Sequence, residues 1–311
     1  MSASRVVRIV APNPSPMTLE GTNSYLVFGA GAAIAIDPGP VLETHQAALV
    51  AAAHARAADV AAIVVTHGHP DHAPGAASLA AHTGAPVYAH RNARFPHDRT
   101  LGDGERLDVD GAQLIALETP GHADDHLAFL YEPEGALFTG DVVVGRGTVV
   151  IAPPHGDMRA YQATLRRLRD ELSGTRTIYG GHGEPVVDAR AKLDEYIAHR
   201  EAREGQILHA LAAGERTIPE LVTTIYHDVA PLLWPAAARQ ILAYLIALER
   251  EDHVRSQTLE RALTTQENAI LSPDPSRIGD AESAAVAAAE LGFDRRVDRI
   301  EVYALASGKT S

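Results

Sequence analysis

The chain has 311 residues, 46% of them hydrophobic, which suffices for one large domain and a smaller one. A net charge of −13 and a near absence of lysine exclude a basic footprint for duplex DNA. Because there is no cysteine, disulfides and thiolate metal sites are excluded too, and any metal ligands must be His, Asp or Glu. The first ten residues lack the apolar stretch of a signal peptide, and no uninterrupted apolar span approaches membrane length. We therefore expect a cytoplasmic protein without a membrane partner.

Short apolar, β-branched runs alternate with helical segments through the first 200 residues. This alternation predicts an α/β protein in which helices cover a sandwich of sheets. On the first helix, His45 and His54 are expected at the surface. The predicted strands are 5–10, 24–28, 32–37, 61–65, 86–89, 113–118, 129–131, 136–139 and 177–179. The predicted helices are 41–58, 73–82, 157–172 and 188–211, the last with a break near Gly205.

The strand at 61–65 runs into T-H-G-H-P-D-H, which places four potential metal ligands within six residues. Glycine and proline in this heptad forbid a regular element, so the ligands lie on a sharply turning loop. Isolated histidines are usually surface or core residues, but burying three imidazoles and a carboxylate together without a metal would be costly. The heptad therefore predicts a metal site formed by His67, His69, Asp71 and His72.

Three more strands end in a histidine or aspartate beside glycine. These are His122 in T-P-G-H, Asp141 in T-G-D and His182 in G-G-H-G. We interpret the nearby His126 as structural. Since strand ends can converge on one rim, a single site accounts for all four positions.

Seven candidate ligands are too many for one four-coordinate zinc that keeps an open position. They indicate two metals about 3.5 to 4 Å apart that share a ligand, for which Asp141 is suited because it has two oxygens. We assign His67, His69 and His122 to the first metal. Asp71, His72 and His182 then hold the second. Zinc suits the nitrogen-rich first group, whereas the second group would also tolerate manganese or iron.

Such a pair of cations indicates a hydrolase. Metal binding lowers the pKa of water to about 7, so a hydroxide bridging the two metals can attack a carbonyl or phosphoryl centre. Asp71, beside that position, is a candidate proton shuttle and hence the candidate catalytic residue. The candidate substrate contacts are Asn23, His90 and Arg146.

From about residue 200 the composition changes, which predicts domains at 1–200 and 201–260 and an extension at 261–311. Thr217 to Glu220 has the pattern of a capping box, and helices from there to residue 250 suggest a small, mainly helical winged-helix-like domain. Its second helix is apolar, which favours packing or homo-oligomerisation over DNA binding. The extension contains a predicted helix at 282–291 and a strand at 297–305, and we assign it no task.

In their order, the four motifs resemble those of the metallo-β-lactamase superfamily, with Asp37 matching its first motif. The resemblance implies a four-layer αβ/βα sandwich whose motif residues bind two zinc ions. Asp37 would then orient the ligand loop rather than bind metal.

More narrowly, the chain resembles the lactamase-beta-2-like family. The likeness lies in residues 12–26, 145–148 and 197–207 and in the winged-helix-like domain, and the tail beyond about residue 260 departs from the family pattern. The mammalian branch of that family is associated with single-stranded RNA cleavage. Fungal relatives act as thioesterases that release polyketides from carrier proteins.

These likenesses leave the substrate open. We rank a short single-stranded RNA first, and a thioester or other small acyl substrate second. Lactam hydrolysis is expected as a side activity at most, because lactamases with only His and Asp ligands generally lack the bridging aspartate. The segment between Asp141 and His182 is too short for the insertion of nucleases that process long RNA. A non-enzymatic scaffold is the remaining alternative.

Overall fold

A computed structural model describes residues 4–171, 174–271 and 299–306. The chain divides into two compact units, Met1–Val149 with Ala163–Tyr196, and Val150–Gln162 with Ile197–Ser311. The change at Ile197 lies close to the division expected near residue 200. The sequence did not indicate that residues 150–162 join the second unit.

The first unit contains a six-stranded sheet whose strands follow chain order. Its first three strands are antiparallel and the later ones are parallel. Helix α2 (Gly75–Thr83) ends at Gly84, which takes the left-handed conformation, with φ 72°, that glycine adopts readily at helix ends. The elements are β1 (Val6–Val10), β2 (Asn23–Phe28), β3 (Ala32–Ile36), α1 (Glu43–His54), β4 (Asp59–Val64), α2 (Gly75–Thr83), β5 (Val87–His90) and β6 (Arg99–Leu101).

A five-stranded sheet, ordered β11-β10-β9-β8-β7, completes the first unit. Strands β8 and β10 are both antiparallel to β9, and β10 is parallel to β11. Strands β8, β10 and β11 therefore run in one direction and end at the same edge. The strands are β7 (Arg106–Val109), β8 (Ala112–Glu118), β9 (Leu127–Tyr131), β10 (Ala136–Gly140) and β11 (Thr177–Gly180).

Two apolar clusters of the described residues pack against the opposite faces of the first sheet. One lies between the sheets, where Ile36 of the first sheet and Phe129 of the second belong to the same buried cluster. The other packs the opposite face of the first sheet, including Ile63, against Leu49 of α1 and Leu79 of α2. Alternate residues of β2 and β3 thus face different cores, as the pleat of a buried strand requires. The α/β sandwich expected from the sequence is confirmed.

Three details differ from the sequence-based expectations. His45 is buried, with Nε2 2.8 Å from Ser24 Oγ, and burial lowers its pKa to about 4. The prediction that it lies at the surface was wrong, because an alanine-rich helix gives little pattern to show which face is covered. Helix α4 (Ala189–Ala212) continues through Gly205 without a break. The three- and four-residue strands β6 and β7 were missed because they are short and rich in charged residues.

The second unit contains a three-stranded sheet, ordered β12-β14-β13, with helices α5 to α7. Thr217 and Glu220 form the predicted capping box of α5. Strand β14, from the predicted extension, pairs with both other strands and so belongs to this sheet, whereas the predicted helix at 282–291 lies outside the described residues. The elements are α3 (Met158–Glu171) and α4, which contribute to both units, and β12 (Arg216–Thr217), α5 (Ile218–Ile225), α6 (Trp234–Arg250), β13 (Val254–Glu260), α7 (Thr265–Leu271) and β14 (Arg299–Leu305).

Within the part of the chain that the structure describes, one segment, Pro231–Arg250, is long and apolar enough by composition to cross a membrane. Arg239 and Gln240 stand within this segment, so it is not an uninterrupted apolar span. Most of this segment is buried within the fold, as in the core helix of a soluble domain.

Candidate metal centre

All seven candidate ligands lie together in the first unit. His67, His69, Asp71 and His72 follow β4, and the remaining three follow the aligned ends of β8, β10 and β11. His69 and Asp71 are half-buried, whereas the other five are buried. The ligand atoms form two groups, each spanning less than 4.8 Å. Their members are His67, His69, His122 and Asp141 in the first group, and Asp71, His72 and His182 in the second.

In the first group, three imidazole nitrogens point at one another. His69 Nδ1 lies 2.8 Å from His67 Nε2 and 3.0 Å from His122 Nε2. Asp141 Oδ2 lies 3.7 Å from the same His122 nitrogen. His67 Nδ1 contacts Thr66 Oγ1 at 3.0 Å, so its Nε2 is left for the centre. Three nitrogens and one carboxylate oxygen therefore converge.

In the second group, the nitrogens face carboxylates. His182 Nε2 lies 3.2 Å from Asp71 Oδ2 and 3.4 Å from Asp141 Oδ1. His72 Nε2 lies 3.5 Å from each of the same two oxygens. Asp141 thus turns Oδ2 toward the first group and Oδ1 toward the second, which is the shared position expected of it.

These distances fit metal coordination. Ligands bound tetrahedrally at about 2.0 Å lie about 3.3 Å apart, close to the separations in the second group. Moreover, the buried atoms His72 Nε2 and Asp141 Oδ1 have no hydrogen-bond partner among the described residues. Buried polar atoms are normally paired, and an unpaired nitrogen facing an unpaired oxygen is what an ion between them would explain. A Cβ on Gly181 would collide with both side chains, so only glycine leaves this space open.

Asp37 connects the two groups from behind. It follows β3 with φ 48°, a left-handed conformation that aspartate tolerates better than most residues. Its Oδ1 accepts the Thr66 backbone N–H, and its Oδ2 accepts Thr66 Oγ1–H and His72 Nδ1–H, all at 2.7–2.8 Å. Because Thr66 also contacts His67, one carboxylate supports a ligand in each group. This is the supporting position that the resemblance implied.

The buried charges shift several pKa values. Burial lowers the pKa of His67 well below its usual value, and the imidazole of His72 adds to this. Burial alone would also lower the pKa of His72, but Asp71, Asp141 and Asp37 together raise it well above its usual value. For His182 burial is likewise outweighed by Asp141 and Asp71, which raise the pKa to about 10. Without a cation, the imidazoles of His72 and His182 in the second group are therefore protonated.

None of the three candidate substrate contacts belongs to either ligand group. Asn23 is buried, and its amide donates to the carbonyls of Gly180 and Gly183, so it holds the loop that carries His182. His90 is buried with Nε2 3.3 Å from Glu118 Oε1. Arg146 is exposed, 3.7 Å from Glu20.

His126 contributes more than the sequence indicated. Its ring stacks on His67, with centroids 4.8 Å apart. Its Nδ1 contacts Thr119 Oγ1 at 2.9 Å, and its Nε2 accepts the Asp141 backbone N–H at 3.2 Å. It therefore positions two ligands without pointing into either group. In the sequence, the one feature that could have indicated this role is that His126 follows the candidate ligand His122 by four residues.

Comparison with known proteins decides the family. The metallo-β-lactamase superfamily domain matches residues 17–182, more than half of the chain, and includes all seven candidate ligands. The chain belongs to the metallo-β-lactamase superfamily. A second match, the beta-lactamase associated winged helix domain, covers residues 217–261, which confirms the winged-helix-like domain. The protein is therefore a metallo-β-lactamase-fold hydrolase, and its His/Asp groups could hold metal.

Relatives carry several names. The lactamase-like protein vrtG of Penicillium aethiopicum is 38% identical, covering 72% of this chain and 74% of the relative. The atrochrysone carboxyl ACP thioesterase of Aspergillus chevalieri and the beta-lactamase-like protein 2 homolog of Caenorhabditis elegans are each 36% identical, covering 72% of this chain and 74% and 77% of the relatives. A metallo-beta-lactamase family protein from Thermus thermophilus is 27% identical, with a TM-score of 0.69 over 81% of this chain and 96% of that one.

Proposed function

We propose that this metallo-β-lactamase-fold protein is a dinuclear, zinc-dependent hydrolase of acyl thioesters. The observation that carries the proposal is Asp141, whose two oxygens face two separate ligand groups. Nitrogen dominates the first group, which favours zinc, while the second, with Asp71, would also accept manganese or iron. When bound, such a cation pair polarises the scissile carbonyl and lowers the pKa of water to about 7.

The chain's own residues then supply positioning and proton transfer. Asp71 is half-buried, and its Oδ2 lies within 3.5 Å of two ligand nitrogens. We therefore assign Asp71 the role of accepting the proton that is released when water attacks the substrate. Asp37 and His126 hold ligands rather than substrate, because both are buried and their hydrogen bonds go to His72 and to the Asp141 backbone.

The net charge of the chain and its similarity to a named thioesterase support a thioester substrate. With a net charge of −13, the chain suits an acyl group better than a polyphosphate, since an acyl group needs no basic groove. A 36% identical relative is named as a thioesterase acting on an acyl carrier protein. We therefore place the thioester ahead of RNA, reversing the order favoured by the sequence alone.

Single-stranded RNA stays as the second candidate. The observation that favours it is the equally broad match to the beta-lactamase-like protein 2 homolog, because the resembled mammalian branch is associated with RNA cleavage. Exposed Arg91 and Arg94, which follow β5, could contact phosphates, although Glu118 and Asp124 partly neutralise them. We assign either activity to the cytoplasm, and fractionation of the source cells tests that location.

The test compares acyl thioesters and a fluorescent single-stranded RNA as substrates for zinc-loaded wild type and two variants. Asp141→Asn removes the shared oxygen pair, and Asp59→Asn is a control on an 87% exposed carboxylate. We expect thioester turnover that falls more than about 100-fold in Asp141→Asn but not in the control. If the wild type and the control cleave RNA, Asp141→Asn does not, and no protein hydrolyses the thioesters, the substrate is RNA and not a thioester. If wild type turns over neither substrate faster than Asp141→Asn does, both proposed activities are refuted.

A further inference from the structure

The dipeptide Gly21–Thr22 lies against two members of the second group. Thr22 Oγ1 is 3.2 Å from Asp71 Oδ2, and His182 Nδ1 donates to the Gly21 carbonyl at 3.3 Å. Thr22 and His182 also form an antiparallel bridge. The His182 contact is made by Nδ1, the ring nitrogen that faces away from the second group, so Nε2 stays directed toward it. The Thr22 contact is made to Asp71 Oδ2, the same oxygen that faces the Nε2 atoms of His72 and His182.

The Thr22 hydroxyl has a defined direction. Asn13 Oδ1 accepts the Thr22 backbone N–H at 2.9 Å, which fixes the orientation of the Asn13 amide. Its Nδ2 therefore donates to Thr22 Oγ1, at 3.0 Å. A hydroxyl that accepts from Asn13 is left with its own hydrogen, and the Asp71 carboxylate can only accept. Thr22 consequently donates to Asp71 Oδ2.

The dipeptide is itself held firmly. Ala11 N–H donates to the Thr22 carbonyl at 2.8 Å, and Gly21 N–H donates to the Thr18 carbonyl at 3.0 Å. Gly21 has φ 139°, and a Cβ there would collide with the Ala11 carbonyl oxygen. The chain thus requires glycine at this point so that the next residue can reach Asp71.

We propose that Gly21–Thr22 is a positioning element for the second metal group. Thr22 holds the Asp71 carboxylate in one orientation, and the Gly21 carbonyl keeps the proton of His182 on Nδ1 so that Nε2 is the ligand atom. The inference rests on the proposed two-cation function and adds that one cation depends on this dipeptide. Partners that orient ligands in this way typically contribute a factor of about 10–100 to metal affinity.

Thr22→Val tests the element, because valine keeps the shape and removes the donor. Thr22→Ser restores the hydroxyl. Thr18→Val is the matched control, since Thr18 donates within the same loop, to the Asn13 carbonyl at 2.6 Å. Each full-length, chelator-treated protein is titrated with Co²⁺ against a competing chelator, and the visible absorption of each step is recorded. Urea unfolding of the metal-free proteins shows that each variant folds, and Thr22→Ala replaces Thr22→Val if it does not.

We expect Thr22→Val to lower one of two Co²⁺ affinities by about 10–100-fold and to change the spectrum of that step alone. Thr22→Ser and Thr18→Val should keep both affinities within about twofold of wild type. Equal losses in Thr22→Val and Thr18→Val, or equal losses at both steps, would overturn the positioning role while leaving the two-cation proposal intact. A wild type that takes up no cobalt would instead refute the proposed function, and this inference with it.

Discussion

Asp37→Asn is expected to weaken both metal groups at once. The aspartate receives three donors, two from Thr66 and one from His72, so an amide at this position must turn its NH₂ toward one of them. If the NH₂ faces His72 Nδ1, the ring must move its proton to Nε2, which removes a ligand atom. If the NH₂ faces the Thr66 backbone N–H, a buried donor is left without an acceptor. Neither orientation satisfies all the groups.

The cost follows from these contacts. A buried unsatisfied donor costs about 1–3 kcal/mol, and hydrogen bonds to a charged partner contribute about 1.5–3 kcal/mol each. We therefore expect a loss of about 2–4 kcal/mol in the free energy of unfolding of the metal-free protein. Both cation affinities should fall about 10–100-fold.

Urea denaturation measures the first effect and competitive metal titration the second. Asp59→Asn, on an exposed carboxylate, should stay within about 0.5 kcal/mol of wild type. Values for Asp37→Asn that match those of this control in both assays would contradict the prediction.

Three further predictions concern protons, the His182 loop and the second unit. Cation binding at pH 7 should release about two protons, since His72 and His182 hold theirs through raised pKa values. The apparent affinity for the cation should therefore rise with pH up to about 10, the pKa of His182. Calorimetry in buffers of different ionisation enthalpy measures the number of protons released, and finding none would contradict this prediction. Asn23→Ala removes one donor from each of the buried carbonyls of Gly180 and Gly183, which keep the Tyr25 hydroxyl and the Arg8 guanidinium as donors. It should cost about 1–3 kcal/mol by urea unfolding, and an unchanged midpoint contradicts the bonding described. Thr217→Ala should cost about 1 kcal/mol by losing its capping box, whereas Thr217→Ser should not, and equal midpoints would refute the cap.

The grouping of the seven candidate ligands could be predicted because its signals are local. Four ligands share one heptad, and the others follow strands whose ends carry glycine beside a histidine or aspartate. Sheet direction then brings these ends together without any detail of side-chain packing. Long, periodic elements such as α6 were predictable for the same reason, since hydrophobic spacing reports burial directly.

The supporting residues could not be predicted, because their contacts join distant parts of the chain. Thr22 reaches Asp71 across 49 positions, and Asn23 reaches Gly180 across 157. In the sequence both resemble ordinary turn residues. Nothing in the sequence around His45 indicates that it is buried, because its burial results from the packing of α1 on the sheet. Such roles depend on tertiary geometry, which local patterns do not encode.

Anomalous diffraction from crystals grown with zinc tests the central claim most directly, because it locates each cation independently of activity. We predict two zinc peaks, one among His67, His69 and His122 and one among Asp71, His72 and His182, with an Asp141 oxygen facing each. A single peak, or peaks away from these side chains, would contradict this prediction.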